Sequence, residues 1–384
     1  MTVAVPIAAH SPTAPPLRVE WRPLGSVDEA AWRALADRAV EPNVFYEPAF
    51  AVPATAVFGQ DVSVGLVWSP TGQLLGLFPA RIQRRYAVPP AVLTGWTHPY
   101  GPLGTPLVDR DDPEAVIETW LDHVASAPEL PGLLLLPLMP DGPFAVALAA
   151  VLARRNAESA EFGRHHRAML APGVGRAAYL EHAVGAKKRK ELRRQRHRLA
   201  DGGDVAVDTA IHQAAIEAAL TDFLSLEAGG WKGRAGTAAI RHDDIRQFVE
   251  RAVAGLAADG KARIDRLSVS EQTVAATVTL RSGATAWTWK IAYDEAFAHA
   301  SPGVQVMLDL TETLLADTSL GRVDSCATAD HPMIDHLWRE RLALADHLVA
   351  IRPTRSFALA CRLEQLRRAA LSVARTLRSR LHRR

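Results

Sequence analysis

The sequence predicts a mixed α/β protein of two units with similar layout, each a central, mostly antiparallel sheet flanked by helices. Segments that alternate every two residues interleave with segments of three- to four-residue periodicity, and this succession runs twice along the chain. Proline and glycine cluster at Ala171–Gly175, between the two runs. At 384 residues with 48% hydrophobic and 22% charged side chains, the chain can build two or three domain-sized cores and is not globally disordered.

In the first run, Leu17–Leu24 is an expected strand and Val27–Ala39 a helix with Trp32, Leu35 and Ala36 on one face. Val62–Trp68 and Leu74–Ile82 form a hairpin across Ser-Pro-Thr-Gly-Gln. Pro89–Pro106, containing His98-Pro99-Tyr100-Gly101-Pro102, is a long loop of the kind that often carries function. A helix at Glu114–Ala125, a buried strand at Gly132–Leu138 and a helix at Phe144–Arg155 complete the unit.

The second run starts with helices at Arg176–Ala200 and Ile211–Glu227. The segment Ala228–Ala238 holds too much glycine for helix or strand. Ile245, Phe248, Val249, Ala252, Val253 and Leu256 then form a helical stripe. Strands follow at Ala262–Val269, Thr273–Arg281 and Ala284–Tyr293, the last placing Trp287, Trp289 and Ile291 opposite Thr288 and Lys290. A helix opens at Ser301-Pro302-Gly303 and runs to about Ala316. Gly321–Ala327 is an expected strand and Met333–Leu344 an expected helix. The division is thus a tail at 1–16, units at 17–172 and 173–352, and a terminal helix at 353–384.

The formal charge of +2 hides two basic concentrations. Lys187–Arg198 holds eight Lys/Arg against Glu191, and Arg355–Arg384 holds nine Arg against Glu364. In the second, Leu359, Leu363, Leu366, Ala370, Val373, Leu377 and Leu381 recur at helical spacing. Such a helix lies on anionic lipid, packs on a partner, or covers its own domain. Met1–Pro16 has four prolines and no Lys or Arg, so it reads as a tail rather than an export signal. With apolar runs too short to span a bilayer and only two cysteines, Cys326 and Cys361, the expected location is the cytoplasm, with contact at the inner membrane face through 355–384.

The chemistry-bearing segments are few. Ser301 suits an N-cap, Pro302 the first helical position, and Gly303 leaves the first turn bare. Free N–H groups at Gly303, Val304 and Gln305 would then attract an anion such as a pyrophosphate, although spacing alone favours a plain capped helix. The run Gly229-Gly230-Trp231-Lys232-Gly233-Arg234 offers an aromatic and two cations on backbone open to a ligand, or is a solvent loop. No P-loop, dinucleotide fingerprint, HExxH or metal-spaced histidine set occurs, so no metal is expected. No Ser-His-Asp set can be assembled from sequence order.

Four blocks carry a resemblance: KKRKELRRQRHRLADGG, LEAGGWKGRAGTA, WTWKIAYDEAFAHASPG and DSCATADHPMIDHLW. Over about Arg176–Leu344 they resemble the BioF2-like acyltransferase domain of the GNAT superfamily, found in cellulose-biosynthesis-associated proteins and akin to Fem-type aminoacyltransferases. NVFYEPAF and TGWTHPYGPLG extend a weaker similarity into the first half. The resemblance implies two tandem GNAT-like units and an acyl-CoA co-substrate, acetyl-CoA first, with its pyrophosphate at Ser301, Pro302, Gly303, Val304 and Gln305. It implies Asp324 as base with His331 as substitute, and Tyr293 as acid for the leaving thiolate. Trp231, Lys232, Gly233, Lys290, Asp294 and Tyr100 would meet substrate, with Lys290 and Asp294 orienting it or pairing with each other. The usual GNAT Gln/Arg-Gly-Gly loop is absent. The implied activity is N- or O-acylation of a cell-envelope glycan or lipid precursor. Aminoacyl transfer from tRNA, with Lys187–Arg198 on RNA phosphates, and a non-catalytic scaffold of a polysaccharide-synthesis complex are the alternatives.

Overall fold

All neighbouring strand pairs but two run antiparallel, and the two parallel pairs occupy corresponding places in the two halves. The computed structural model describes residues 16–86, 88–172, 176–353 and 356–381. Residues 1–15 of the expected tail and residues 173–175 of the expected boundary lie outside them.

The first half runs β1 (Arg18–Pro23), α1 (Glu29–Arg38), α2 (Pro48–Phe58), β2 (Ser63–Trp68), β3 (Leu74–Gln83) and β4 (Val92–Gly95). It continues with β5 (Leu107–Val108), α3 (Pro113–Ser126), β6 (Leu133–Pro140), α4 (Pro143–Arg154) and β7 (Ser159–Leu170). Local chemistry sets several boundaries. Asp28 accepts from the Ala31 N–H to start α1, and Asp112 does the same for Ala115 ahead of Pro113 in α3. Gly65 on β2 faces Trp120 of α3 so closely that a Cβ would lie 2.1 Å from the indole. Only glycine lets that helix lie flat on the sheet.

The second half runs α5 (Arg176–Ala183), α6 (Ala186–Ala200), β8 (Val205–Ala210), α7 (Gln213–Gly229), α8 (Trp231–Arg234) and α9 (Asp243–Ala258). Then come β9 (Ala262–Val269), β10 (Gln272–Ser282), β11 (Thr285–Tyr293), α10 (Pro302–Ala316), β12 (Arg322–Asp324), β13 (Glu340–Ala350) and α11 (Ser356–Leu381). The single helix expected at Arg176–Ala200 is two, parted at Val184-Gly185, and the glycine-rich Ala228–Ala238 contains the helical turn α8.

Two separate sheets do not form. The strands make one continuous sheet in the order β1-β2-β3-β4-β6-β13-β7-β12-β11-β10-β9-β8, with β5 paired to β3. The join has two parts: β7 pairs with β12 through Leu170–Val323 and Met169–Asp324, and β13 inserts between β6 and β7. The expected helix at Met333–Leu344 is instead a short 3-10 turn at Ile334–His336 followed by β13. Leu342 and Leu344 are buried at strand spacing, and the open slot between β6 and β7 supplies backbone partners on both sides. The core is shared too: Phe50 of α2 packs edge-on against Phe248 of α9 at 5.4 Å, and Phe45 against Trp287 at 6.0 Å.

The front of α11 is docked. Phe357 and Ala360 are buried, and Arg85, Arg367 and Arg368 converge on the buried Glu364. Leu366, Leu371, Val373 and Leu377 beyond them are exposed. Among the described residues no helix is long and apolar enough to cross a membrane.

Candidate active site

The parallel pair β11–β12 creates the opening. It is held only by Thr285–Arg322, Ala286–Val323 and Trp287–Asp324, because β12 stops at Asp324 and the chain turns at Cys326 with φ 52°. From Thr288 to Tyr293, β11 therefore pairs with no strand on that side among the described residues. A cavity of about 680 Å3 occupies the space, bounded by β11, the start of α10, the Ser325–Thr328 turn, His331–Ile334 and α8. In the first half the chain after β4 closes the matching gap: a Cβ on Gly104 would lie 2.1 Å from the Pro137 carbonyl oxygen. Asn43 holds that segment by donating to the Thr105 carbonyl at 2.9 Å.

Of the expected site residues, Tyr293, Ser301, Gly303, Val304, His331, Trp231, Lys232 and Lys290 line this cavity. Ser301 is not the expected side-chain cap. Its backbone is left-handed at φ 52°, its hydroxyl makes no cap, and its carbonyl accepts from the N–H groups of Val304 and Gln305 at 2.9 and 3.1 Å. Two of the three expected free donors are thereby spent. Among the described residues the Gly303 N–H has no partner, and Pro302, with no N–H, is buried at the first helical position. Gln305 is buried away from the opening and donates to the Leu192 carbonyl at 3.0 Å, tying α10 to α6.

Asp324 does not stand free as a base. Its carboxylate forms an ion pair with Arg167 of β7, the two side chains being 1% and 3% exposed, and accepts from the Cys326 N–H at 2.9 Å. Asp324 is not among the cavity-lining residues. His331 Nδ1 accepts from the Met333 N–H at 3.3 Å, so in the neutral ring Nε2 carries the proton and is a donor. Tyr293 is partly exposed on the wall beside Gly303, where a Cβ would lie 3.2 Å from its ring.

Lys290 and Asp294 do not pair. Asp294 accepts from the Ala296 N–H at 2.9 Å and caps the turn after β11. Lys290 Nζ lies 3.4 Å from Glu227 Oε1 and 4.1 Å from the centre of the Tyr100 ring. Tyr100, reaching across from the first half, also accepts the Trp289 indole N–H on its carbonyl at 2.8 Å. Burial lowers Lys290 to about 8, against the pull of Glu227. Burial also raises the Tyr100 phenol, aided by Glu227, to about 12. Lys232 Nζ lies 2.9 Å from the same Glu227 oxygen. Gly233 packs inside α8, where a Cβ would lie 1.7 Å from the Ala228 carbonyl oxygen.

Nothing in the sequence pattern marks Glu227 as a site residue, since a glutamate at a helix end reads as solvated. It is buried, and its Oε2 accepts from the Ala239 N–H at 2.9 Å. Burial opposes its charge, but Lys290, Lys232 and that N–H outweigh it and hold the carboxyl below the usual range. Thr277 of β10 is another omission: its hydroxyl is buried, lines the cavity and has no partner among the described residues.

Residues 186–331 match the family model of the acetyltransferase (GNAT) domain. This segment is similar to GNAT acetyltransferase domains. The matched stretch spans α6 to the cavity wall at His331. No curated protein matches the sequence. Among solved structures, a conserved protein of unknown function from Bacteroides thetaiotaomicron is 12% identical over 87% of this chain and 100% of its own, with a TM-score of 0.55. FemX is 9% identical over 87% of this chain and 97% of its own, at 0.53. L-PGS from Bacillus licheniformis is 14% identical over 89% and 96%, at 0.50. These likenesses show a shared fold across both halves of the chain. Among the described residues no group of three or more His, Cys, Asp or Glu could hold a metal ion.

Proposed function

We propose that the chain transfers an acyl group from acyl-CoA, acetyl-CoA in the first instance, to an amine or hydroxyl of a cell-envelope glycan or lipid precursor. The observation that carries this reading is the cavity at the splayed β11–β12 pair, into which α10 opens with an unpartnered Gly303 N–H. A glycine there leaves room for a phosphate, and the helix end favours its charge. About 680 Å3 accommodates a pantetheine arm, a thioester and a small acceptor.

Among the described residues the lining holds no carboxylate, so the site supplies placement and hydrogen-bond donors rather than a carboxylate base. The acceptor nitrogen or oxygen bonds to the thioester carbonyl carbon and its proton leaves to solvent. The carbonyl oxygen gains charge that His331 Nε2–H is available to stabilise. As the C–S bond breaks, the thiolate takes a proton from the Tyr293 hydroxyl, which solvent restores. Asp324 acts at a distance, fixing the turn that carries Ser325 and Cys326.

Calorimetric titration of the full chain with acetyl-CoA tests the reading. Micromolar binding that Gly303→Val abolishes is expected; absence of binding by the native chain overturns it.

The tRNA-dependent alternative has one observation in its favour. Lys187, Lys188, Lys190 and Arg193 of α6 are exposed with no acidic partner among the described residues, on a helix tied to α10. Aminoacyl-tRNA binding that weakens steeply with salt would favour it. For location, we assign the exposed half of α11 to an anionic membrane surface. The exposed Leu366, Val373 and Leu377 share a helix with arginines, and Glu364, its one acid, is already spent.

A further inference from the structure

The cavity has a corner with more positive charge than its surroundings cancel. Lys290 and Lys232 both reach the single oxygen Oε1 of Glu227, at 3.4 and 2.9 Å. The other oxygen is occupied by the Ala239 N–H. Two ammonium groups thus share one carboxylate, leaving one formal positive charge where both lysines line the cavity. Lys290 also lies over the Tyr100 and Trp289 rings, at 4.1 and 5.5 Å, which attract the cation without neutralising it. Each ammonium has three donors and directs one at Glu227. The buried, unpartnered Thr277 hydroxyl lines the same cavity. A buried excess charge with unused donors and an orphaned hydroxyl is costly unless a ligand completes it.

We propose that this corner is an anion subsite: Lys290 and Lys232, with the Thr277 hydroxyl, hold a carboxylate or phosphate carried by the acceptor. The substrate class is therefore an amine or alcohol with an anionic group close to its nucleophile, rather than a neutral sugar or alkylamine. Glu227 sets the strength of the subsite by cancelling one of the two charges and fixing both lysines. The assignment of the anion to the acceptor rests on the acyl-transfer reading above; the binding of an anion does not.

The test uses small acylated probes that mimic the product side: N-acetylglycine for a carboxylate, N-acetylphosphoethanolamine for a phosphate, and N-acetylglycinamide as the neutral control. Calorimetry on the full chain at pH 7 is expected to show one of the anionic probes binding at least tenfold tighter than the amide, and the tighter of the two identifies the anion. Lys290→Gln should erase the preference and Lys290→Arg should keep it. Lys232→Gln, less deeply set, should reduce it as well and stands in if Lys290→Gln does not fold. The preference should shrink as pH rises through about 8, where Lys290 loses its proton, while of its other neighbours Glu227 stays ionised and Tyr100 stays neutral there. Equal binding of all three probes by the native chain, or an undiminished preference in both glutamine variants, overturns the proposal. Anion preference without acetyl-CoA binding would instead overturn the donor and leave the subsite standing.

Discussion

Replacing Asp324 by Asn separates a catalytic from a structural carboxylate. Asn keeps the shape and can still accept the Cys326 N–H, but it removes the only acidic partner of Arg167 among the described residues. Arg167 cannot turn elsewhere: one nitrogen reaches the Pro102 carbonyl at 3.3 Å, and its Nε is buried without a partner among the described residues. Leaving such a cation uncompensated costs about 3–5 kcal/mol. A chain of 384 residues has an unfolding entropy of about 0.8 kcal/mol per kelvin. The melting temperature should therefore fall by about 4–6 °C, read by calorimetry. The double change Arg167→Met with Asp324→Leu should recover most of the loss, since a buried pair replaced by packed apolar groups is often neutral. Acetyl transfer by Asp324→Asn below its melting range should stay within tenfold of the native rate. A variant that melts like the native chain yet loses more than a hundredfold in turnover would refute this account and restore Asp324 as the base.

Gly303→Ala puts a methyl 3.2 Å from the Tyr293 ring and over the helix end, so coenzyme A affinity should drop several-fold in a binding titration while the fold persists. A chain ending at Arg368 keeps Phe357, Ala360 and the Glu364 cluster, so it should melt like the full chain but no longer sediment with anionic vesicles. Each arginine removed takes away about 1 kcal/mol of attraction to such a surface. The side chains of Glu364 and its arginines supply an acid-sensitive clamp: the arginines overcome burial and bring its carboxyl from 4.5 to about 2. That stabilisation is complete above pH 4.5 and lost as pH falls through about 2, so the stability gap between native and Glu364→Gln chains, at most about 3 kcal/mol, should close over that window. Residues 17–172 expressed alone should fail to melt cooperatively, since β13 fills the slot between β6 and β7.

The strands at 62–68, 74–83, 262–269, 272–282 and 285–293 were legible because alternation and turn residues act within a few positions. So was α10, announced by Ser301-Pro302-Gly303, whose proline fixes the first turn whichever residue caps it. Three of the four sequence blocks that resemble GNAT acyltransferases end up around one cavity, where Lys290, Tyr293 and His331 line it, and the first block, in α6, is tied to α10 behind it. Local pattern failed at Met333–Leu344, where leucines spaced for either period become a strand only because two distant strands leave hydrogen-bonding groups to satisfy. β7 was missed because Arg164, His165 and His166 obscure its alternation, and its pairing comes from β12 and β13 far along the chain.

By itself, then, the sequence determined the α/β class, the elements with clean periodicity, and the strand-to-helix step where an acyl donor is proposed to bind. Tertiary structure alone decided that the halves share one sheet, that the gap is closed in the first half and open in the second, and which charged groups face it. Glu227 and Asp324 look alike as carboxylates in a sequence. One became the counterion of two cavity lysines and the other the buried partner of an arginine 157 positions away, because a charge takes its role from whatever the fold brings within a few ångströms of it.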